Sequence, residues 1–285
     1  MSLTKKIDFA VVFRVVNANP NGDPLNGNRP RTTYEGNGEV SDVCLKRKIR
    51  NRLMEADHRI FVQSDDNKVD NHASLRLRAD VELSGIKAPE EIARKACKIW
   101  FDVRAFGQLF AFKAAGGKKS KGEEGGDGKG VSIGIRGPVS IQSAFSISPV
   151  SVSSNQITKS VSSEGDGSKR GSDTMGMKHR VDRGIYTFYG SMNPQLSIKT
   201  GFNDEDAKAI KAVLPRLFEN DASSARPEGS MEVLKVVWWE HNCPSGQCSS
   251  AKVHRSLQIT DTDDLAKLIS FETVNGPIPE VIDGV

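Results

Sequence analysis

Aromatic side chains are scarce in this chain: 3 Trp, 3 Tyr and 12 Phe among 285 residues, 6% in all. A surface that holds nucleobases on a row of rings is therefore not the expected binding mode. Cysteine is scarce too, at four. Cys44 and Cys97 fall in expected helices, where a thiol serves as a small core hydrophobe. Cys243 and Cys248, in "CPSGQC", form a lone pair with no second such pair to complete a tetrahedral zinc site. His241 and His254 lie near enough in sequence to leave a metal site open there. No apolar run approaches the roughly 20 residues that span a bilayer, and the first residues lack the apolar stretch of a signal peptide. The expectation is a cytoplasmic protein. A Walker loop, an HExxH pair and a Gly-x-Ser-x-Gly elbow are also missing, and no cofactor is expected.

The chain carries 40 Lys and Arg against 36 Asp and Glu, a formal net charge of +4. That permits a polyanionic partner without requiring one, and the clustering of the positive charge is the more informative fact. The length suits one large domain or two small ones, with a substantial core.

Ile7, Phe9, Val11, Phe13 and Val15 alternate, which predicts a strand with one apolar face. The opposite face, Asp8, Ala10, Val12, Arg14 and Val16, is mixed and has no aromatic. A turn follows, "NANPNGDPLNGN", rich in residues that tolerate tight or left-handed backbone. Ser41 is the expected N-cap of a helix in which Leu45, Ile49 and Leu53 form the buried stripe. "HRIFVQS" and "LRLRADVEL" read as short strands. Pro89, Glu90 and Glu91 open a second helix with Ile92, Ala93, Ala96 and Trp100 as its apolar positions; "FDVRAFGQLFAF" continues it or packs beside it. "AAGGKKSKGEEGGDGKG" lacks core formers and predicts a mobile loop over 115–130. In "GPVSIQSAFSISPV", Val139, Ile141, Phe145 and Ile147 share one face. The order strand, helix, strands, helix, strand fits an α+β sandwich of the ferredoxin-like kind.

Residues 151–184 show no core pattern and read as an insertion projecting from the domain. A third helix follows "GIYTFYG", with Asn203 as its cap, Ile210, Val213, Leu214, Leu217 and Phe218 as its buried face, and Pro215 marking a kink or break. "MEVLKVVWW" is apolar enough for a central strand. Residues 1–240 are taken as one domain, and 241–285 as a C-terminal segment of no assigned role.

Two basic clusters stand out. Lys46, Arg47 and Arg50 occupy one flank of the first helix, with Lys48 and Arg52 further round. A solvated helix face is the ordinary reading of such a block. Against it, the block lacks the interspersed Glu that balances such faces through i,i+4 pairs. Arg29 and Arg31 lie just upstream, and Asn17, Asn19 and Asn21 offer amides and backbone N–H groups able to bind phosphate or sugar. The second cluster, Lys169, Arg170, Lys178, His179, Arg180 and Arg183, lies in the insertion with Met175 and Met177. It is either a flexible charged loop or an arm closing over a nucleic-acid backbone, with a Met wedged between bases. Asp8, Asp23 and Asp42 flank the first cluster, and a metal-dependent nuclease needs convergent carboxylates; Asp23, inside "NPNGDP", reads first as a turn former.

"NANPNGDP", "GNRPRT" and "VSDVCLKRKIRN", followed by "WFDVRAFGQLFA", "IRGPVSIQSAFSISPV", "TMGMKHRVDRGIYTFYG" and "KTGFNDED", resemble the backbone subunit of the CRISPR Cascade surveillance complex, type I-C variety. The resemblance covers roughly residues 7–240. It implies a non-catalytic protein shaped like a right hand: an RRM-like palm, a helical fingers region that includes the 115–130 loop, and a thumb, here 151–184. Copies of such a subunit stack head to tail along CRISPR guide RNA, beside other Cascade subunits, and display bases for pairing with target DNA, away from any membrane. Carried over by motif, Asn17, Asn19 and Asn21 fall in the family's turn, Lys46, Arg47 and Arg50 on its guide-binding helix, and Met175, Lys178, His179 and Arg180 on the thumb. "MGMKH" departs from the usual "MGRKH", which places Met177 where a phosphate-binding cation is expected. Two other readings remain: an RNA-cleaving relative using Asp23 or Asp42, and a single-strand binder that does not stack.

Overall fold

A computed structural model of the chain describes residues 2–86, 88–112, 131–158 and 175–285. The loop expected over 115–130, and Lys169 and Arg170 of the insertion, lie outside the described residues.

The alternation at the start of the chain yields β1 (Ile7–Ala18), which leads into a small hairpin of β2 (Gly22–Asp23) and β3 (Arg29–Pro30), then β4 (Asn37–Val40) and α1 (Asp42–Glu55). Next come α2 (Leu75–Glu82), α3 (Pro89–Ile99), α4 (Phe101–Phe106) and a hairpin of β5 (Gly107–Phe112) and β6 (Val131–Arg136). β7 (Val139–Ile141), β8 (Ala144–Pro149), β9 (Val152–Thr158) and the long β10 (Met175–Met192) precede α5 (Pro194–Thr200), α6 (Asp204–Val213) and β11 (Met231–Glu240). The chain finishes with α7 (Ser250–Ser256), β12 (Leu257–Ile259), β13 (Ile269–Phe271) and β14 (Pro279–Asp283).

The main sheet is antiparallel, in the order β14-β11-β1-β10-β8-β4, with β7 and β9 also paired to β10. Ile7, Phe9, Val11, Phe13 and Val15 face a helical layer, where Leu45, Ile49 and Leu53 of α1 and Ala207, Ile210 and Val213 of α6 complete the main core. α6 begins with the expected Asn203, which forms a reciprocal capping box with Asp206, and Pro215 ends it in a 3-10 turn. A separate core under α2, α3 and α4 gathers Phe61, Ala96, Trp100, Val103 and Phe110.

The mixed face of β1 is not open. Ala10 and Val12 are fully buried beneath Val253, Leu257 and Leu268 of the C-terminal segment, with Val237 and Trp239 beside them. Covered on both faces, β11 reads as a nearly continuous apolar run. At the edge of this second layer Asp8 is buried with His241 Nε2 at 2.9 Å and His254 Nε2 at 3.6 Å. Residues 241–285 thus form a second covering layer, and β14 adds an edge strand to the sheet.

Three expectations need correction. "LRLRADVEL" is the helix α2, opened by Ser74, whose hydroxyl accepts from the Leu77 N–H. Its alternating Leu75, Leu77 and Val81 imitate a strand, yet all three are exposed while Arg78 and Ala79 are buried. "HRIFVQS" contains no strand; Phe61 and Val62 instead donate their N–H groups to Asp102. Finally, Gln142 and Ser143 break the 139–147 alternation between β7 and β8. Val139 and Ile141 consequently face the helices, Ile147 packs on the other side and Phe145 is exposed.

Candidate nucleic-acid interface

Three elements meet where β1 ends. Asn17 takes a left-handed conformation with φ 52°, which Asn tolerates better than most residues, and turns the chain out of the ladder. Asn19, 3% exposed, donates from Nδ2 to the Asn28 carbonyl at 2.7 Å and so fastens the β2–β3 hairpin. Asn21 Oδ1 accepts from both the backbone N–H and the hydroxyl of Ser41, each at 2.9 Å, which ties the hairpin to the start of α1. Asp23 is a cap, accepting from the Leu25 N–H at 3.2 Å. Asn19 and Asn21 therefore shape the turn, and of the three amides only Asn17 faces outward. The segments flanking the hairpin meet the root of the arm: Ala18, before it, pairs with Val181, and Gly36, after it, accepts from the Val150 N–H.

The basic block of α1 divides. Lys46 pairs with Asp42 at 2.9 Å and Arg47 with Asp66 at 3.1 Å, both at the surface. Lys48, 3% exposed, is held by Asp221 below the Phe218 ring, and burial pulls its pKa down. Arg52 is buried against Glu55. Lys48 and Arg52 lie three and seven residues after Leu45, on the stripe that also holds Ile49 and Leu53, so their spacing was the signal that they turn inward. Arg50 points inward as well: 12% exposed, it donates from Nε to Asp102 at 2.9 Å and stacks on Phe106. Its charge is already matched, unlike that of an open phosphate-binding residue.

The described residues of the insertion form two paired antiparallel strands. β9 pairs with the outer third of β10 in the register Met177↔Gln156, Lys178↔Asn155, His179↔Ser154, Arg180↔Ser153. Strand alternation sets Met175, Met177 and His179 on one face and Lys178 and Arg180 on the other. Met175 and Met177 are exposed, and His179 Nδ1 lies 2.8 Å from Ser154 Oγ. Arg183 belongs to the body of the sheet, where Asp261 and Asp263 engage it at 2.7 and 3.0 Å.

What remains around this corner is a set of cations from three elements: Arg29 and Arg31 from the hairpin, Lys46 and Arg47 from α1, and Lys178 and Arg180 from the arm. Arg29 and Lys178 are exposed and have no ion pair among the described residues. The Nε atoms of Arg31 and Arg180 and the Oδ1 of Asn19 are buried without a hydrogen-bond partner. Such a cluster can hold phosphate and sugar groups without reading base edges. No group of three or more metal-ligating side chains occurs among the described residues. Both ring nitrogens of His241 are engaged, one by Asp8 and the other by the Gln247 N–H at 2.9 Å, so the metal site left open beside "CPSGQC" loses that ligand.

The family model described as "CRISPR-associated protein Cas7" matches residues 5–277. A Haloferax volcanii protein described as "CRISPR-associated protein Cas7" is 26% identical over 246 residues, which cover 83% of this chain and 71% of that protein. Among solved structures, a chain of a "CRISPR RNA-guided surveillance complex, pre-nicking" superposes with a TM-score of 0.45 at 14% identity, covering 82% of this chain and 77% of that one. A chain of a "CRISPR RNA-guided surveillance complex" gives 0.43 at 17% identity, covering 92% and 78%.

Proposed function

The chain belongs to the CRISPR-associated Cas7 family, and on that footing we propose that it is a non-catalytic, guide-RNA-binding backbone subunit of a type I-C Cascade. In this reading, copies stack head to tail along CRISPR RNA, beside other Cascade subunits, and present the guide for pairing with target DNA. The observation that carries the reading is the convergence of the β2–β3 hairpin, α1 and the β9–β10 arm on one cationic corner.

The strand order β11-β1-β10-β8, with α1 and α6 on one face, supports a ferredoxin-like palm within residues 1–240. α2, α3, α4 and the β5–β6 hairpin would be the fingers, with 115–130 between the strands, and 151–184 the thumb. An RRM stacks bases on the open face of its sheet; here the C-terminal layer covers that face, which directs RNA to the edge corner instead. The grip consists of Asn17, Arg29, Arg31, Lys46, Arg47, Lys178, His179 and Arg180, with Met175 and Met177 placed to wedge between bases. Asn19 and Asn21 build the turn that positions it. Arg50 acts from behind by fixing α1 to α4. Phosphate and sugar contacts make the grip sequence-neutral. Asp23 and Asp42 serve as cap and helix partner, which favours a scaffold over a nuclease.

The protein mixed with a guide-length single-stranded RNA should form regular curved filaments in negative stain, with the RNA intact under magnesium or manganese. Discrete complexes that do not stack, or shortened RNA, would overturn the proposal. The triple substitution Arg29→Ala/Arg47→Ala/Lys178→Ala should weaken RNA binding and flatten the slope of log K against log salt by about 2, since each single-strand phosphate contact contributes roughly 0.7.

A further inference from the structure

The turn between β3 and β4 carries the most exposed aromatic ring among the described residues. Tyr34 is 107% exposed, whereas Tyr186 is fully buried and Tyr189 stacks on His254. The Tyr34 ring has no aromatic, cationic or hydrogen-bonding partner among the described residues. A single hydrophobe scattered on a surface is ordinary, but this one is presented by a built turn. The Gly36 N–H donates to the Thr33 carbonyl at 3.1 Å, the Thr33 N–H to the Asn37 carbonyl at 2.8 Å, and the Asn37 N–H to Thr33 Oγ1 at 3.2 Å. Gly36 closes the turn at φ 86°, which glycine adopts without strain. Tyr34 is thus second in a tight four-residue turn whose backbone fixes where the ring stands. That turn lies between two parts of the cationic corner. On one side Thr32 bridges to Gly38, and the Arg31 carbonyl accepts from the Glu39 N–H at 2.9 Å. Tyr34 therefore stands three residues, about 10 Å of extended chain, beyond Arg31. On the other side the Gly36 carbonyl accepts from the Val150 N–H at 3.0 Å, and Asn37 pairs with Pro149 just before β9 begins. Four residues beyond Pro149, Ser153 is paired with Arg180.

We propose that Tyr34 is a stacking platform for one nucleobase of the strand held at the cationic corner. The inference rests on the guide-strand reading above and adds an aromatic base contact to a grip built of phosphate and sugar contacts. The tip itself is unsuited to phosphate: Glu35, beside the ring, is exposed and has no ion pair among the described residues. Its carboxylate repels a phosphate, so the part of a strand that rests on the tip is the uncharged part, a base. A tyrosine ring brings a large contact area at little cost in conformational freedom. Every base has a π-face, so stacking tolerates any sequence and leaves the grip sequence-neutral.

The test measures binding of the full-length protein to a guide-length RNA, and to an abasic RNA of the same length, across a salt series. Tyr34→Ala should weaken binding of the ordinary RNA roughly five- to a hundredfold, the worth of one base stacked on a ring. Its slope of log K against log salt should stay at the wild-type value, because no phosphate contact is lost. Tyr34→Phe should bind like the wild type. Tyr34→Leu should lose most of what Tyr34→Ala loses, since a ring face is required and not apolar bulk. On the abasic RNA, wild type and Tyr34→Ala should bind alike. Wild-type binding of the ordinary RNA by Tyr34→Ala, or an equal loss on both RNAs, would overturn the inference. So would unchanged RNA binding with filaments that fall apart into separate particles, which would assign the ring to a contact with a second copy. The guide-strand reading fails separately, through wild-type RNA affinity and salt slope in the Arg29/Arg47/Lys178 variant.

Discussion

Asp102 is a buried carboxylate with three donors: the Phe61 N–H at 2.7 Å, the Val62 N–H at 3.0 Å and Arg50 Nε at 2.9 Å. It pins the 58–64 segment and α1 to α4 at once. Asp102→Ala leaves two buried N–H groups and a buried guanidinium unmatched, and should lower unfolding free energy by about 3–5 kcal/mol. A urea midpoint shifted down at unchanged slope would show it; an unchanged midpoint would mean that water replaces the carboxylate. Sequence reading had no access to this residue. In "WFDVRAFG" it looks like an ordinary first-turn acid, and its backbone partners lie some 40 positions upstream. The Arg50–Asp102 pair was equally out of sight, because a helix flank identifies a direction but not what waits there. Lys48 and Arg52 are different: their spacing from Leu45 marked the buried side, and only their charge argued otherwise.

At the scale of elements, β1, α1, α3 and α6 were legible because each has apolar residues that repeat at its own period, and β11 because it is apolar almost throughout. α2 was not, since Leu75, Leu77, Ala79 and Val81 happen to alternate while the helix buries little. β12 to β14 are short strands in a segment of weak pattern; β12 and β13 pair with each other over the main sheet, and β14 extends its edge beside β11. β10 shows how pairing restricts composition. Gly190 faces Phe9 across the ladder, and a Cβ there would sit 2.2 Å from the ring, which stacks on Trp238. Gly190→Ala should therefore destabilise by about 1–3 kcal/mol through overpacking. Gly176, on the same strand but out in the arm, has only Ile157 at 3.5 Å among the described residues, so Gly176→Ala should leave the melting temperature within about a degree. Equal effects at both positions would contradict this division of β10 into a packed root and an open arm.

Across the whole molecule, the C-terminal layer is joined to the sheet through a polar centre as well as apolar contacts. Burial pulls the pKa of His254 below its ordinary 6.5, against the pull of Asp8 at 3.6 Å, with Lys6 near that carboxylate and Tyr189 stacked on the ring. Burial lowers His58 in the same direction. The unfolded chain then holds these protons more readily than the folded one, so stability is level above about pH 6.5 and declines as pH falls from 6.5 toward the depressed folded values. His254→Gln should reduce that decline and leave the share from His58, as thermal melts at pH 7.5, 6.5 and 5.5 would show. A decline of undiminished size in the variant would place its origin elsewhere.

The arm and the centre of the sheet are one strand, and this has a mechanical consequence. β10 runs 18 residues, on the order of 60 Å, and its inner two thirds are laced into the ladder with β1. An arm joined by a loop would swivel at its base; this one is a cantilever, clamped along most of its length. Bending it at the root means breaking bonds in the ladder, so a load on the outer part of β10 is passed to the part of the same strand that carries Phe188 and Tyr186 in the core. A neighbour held by the outer part of β10 would sit at an angle set by the twist of the sheet, and the pitch of any assembly built by repeating the contact would be written into the body of each copy rather than chosen at the joint.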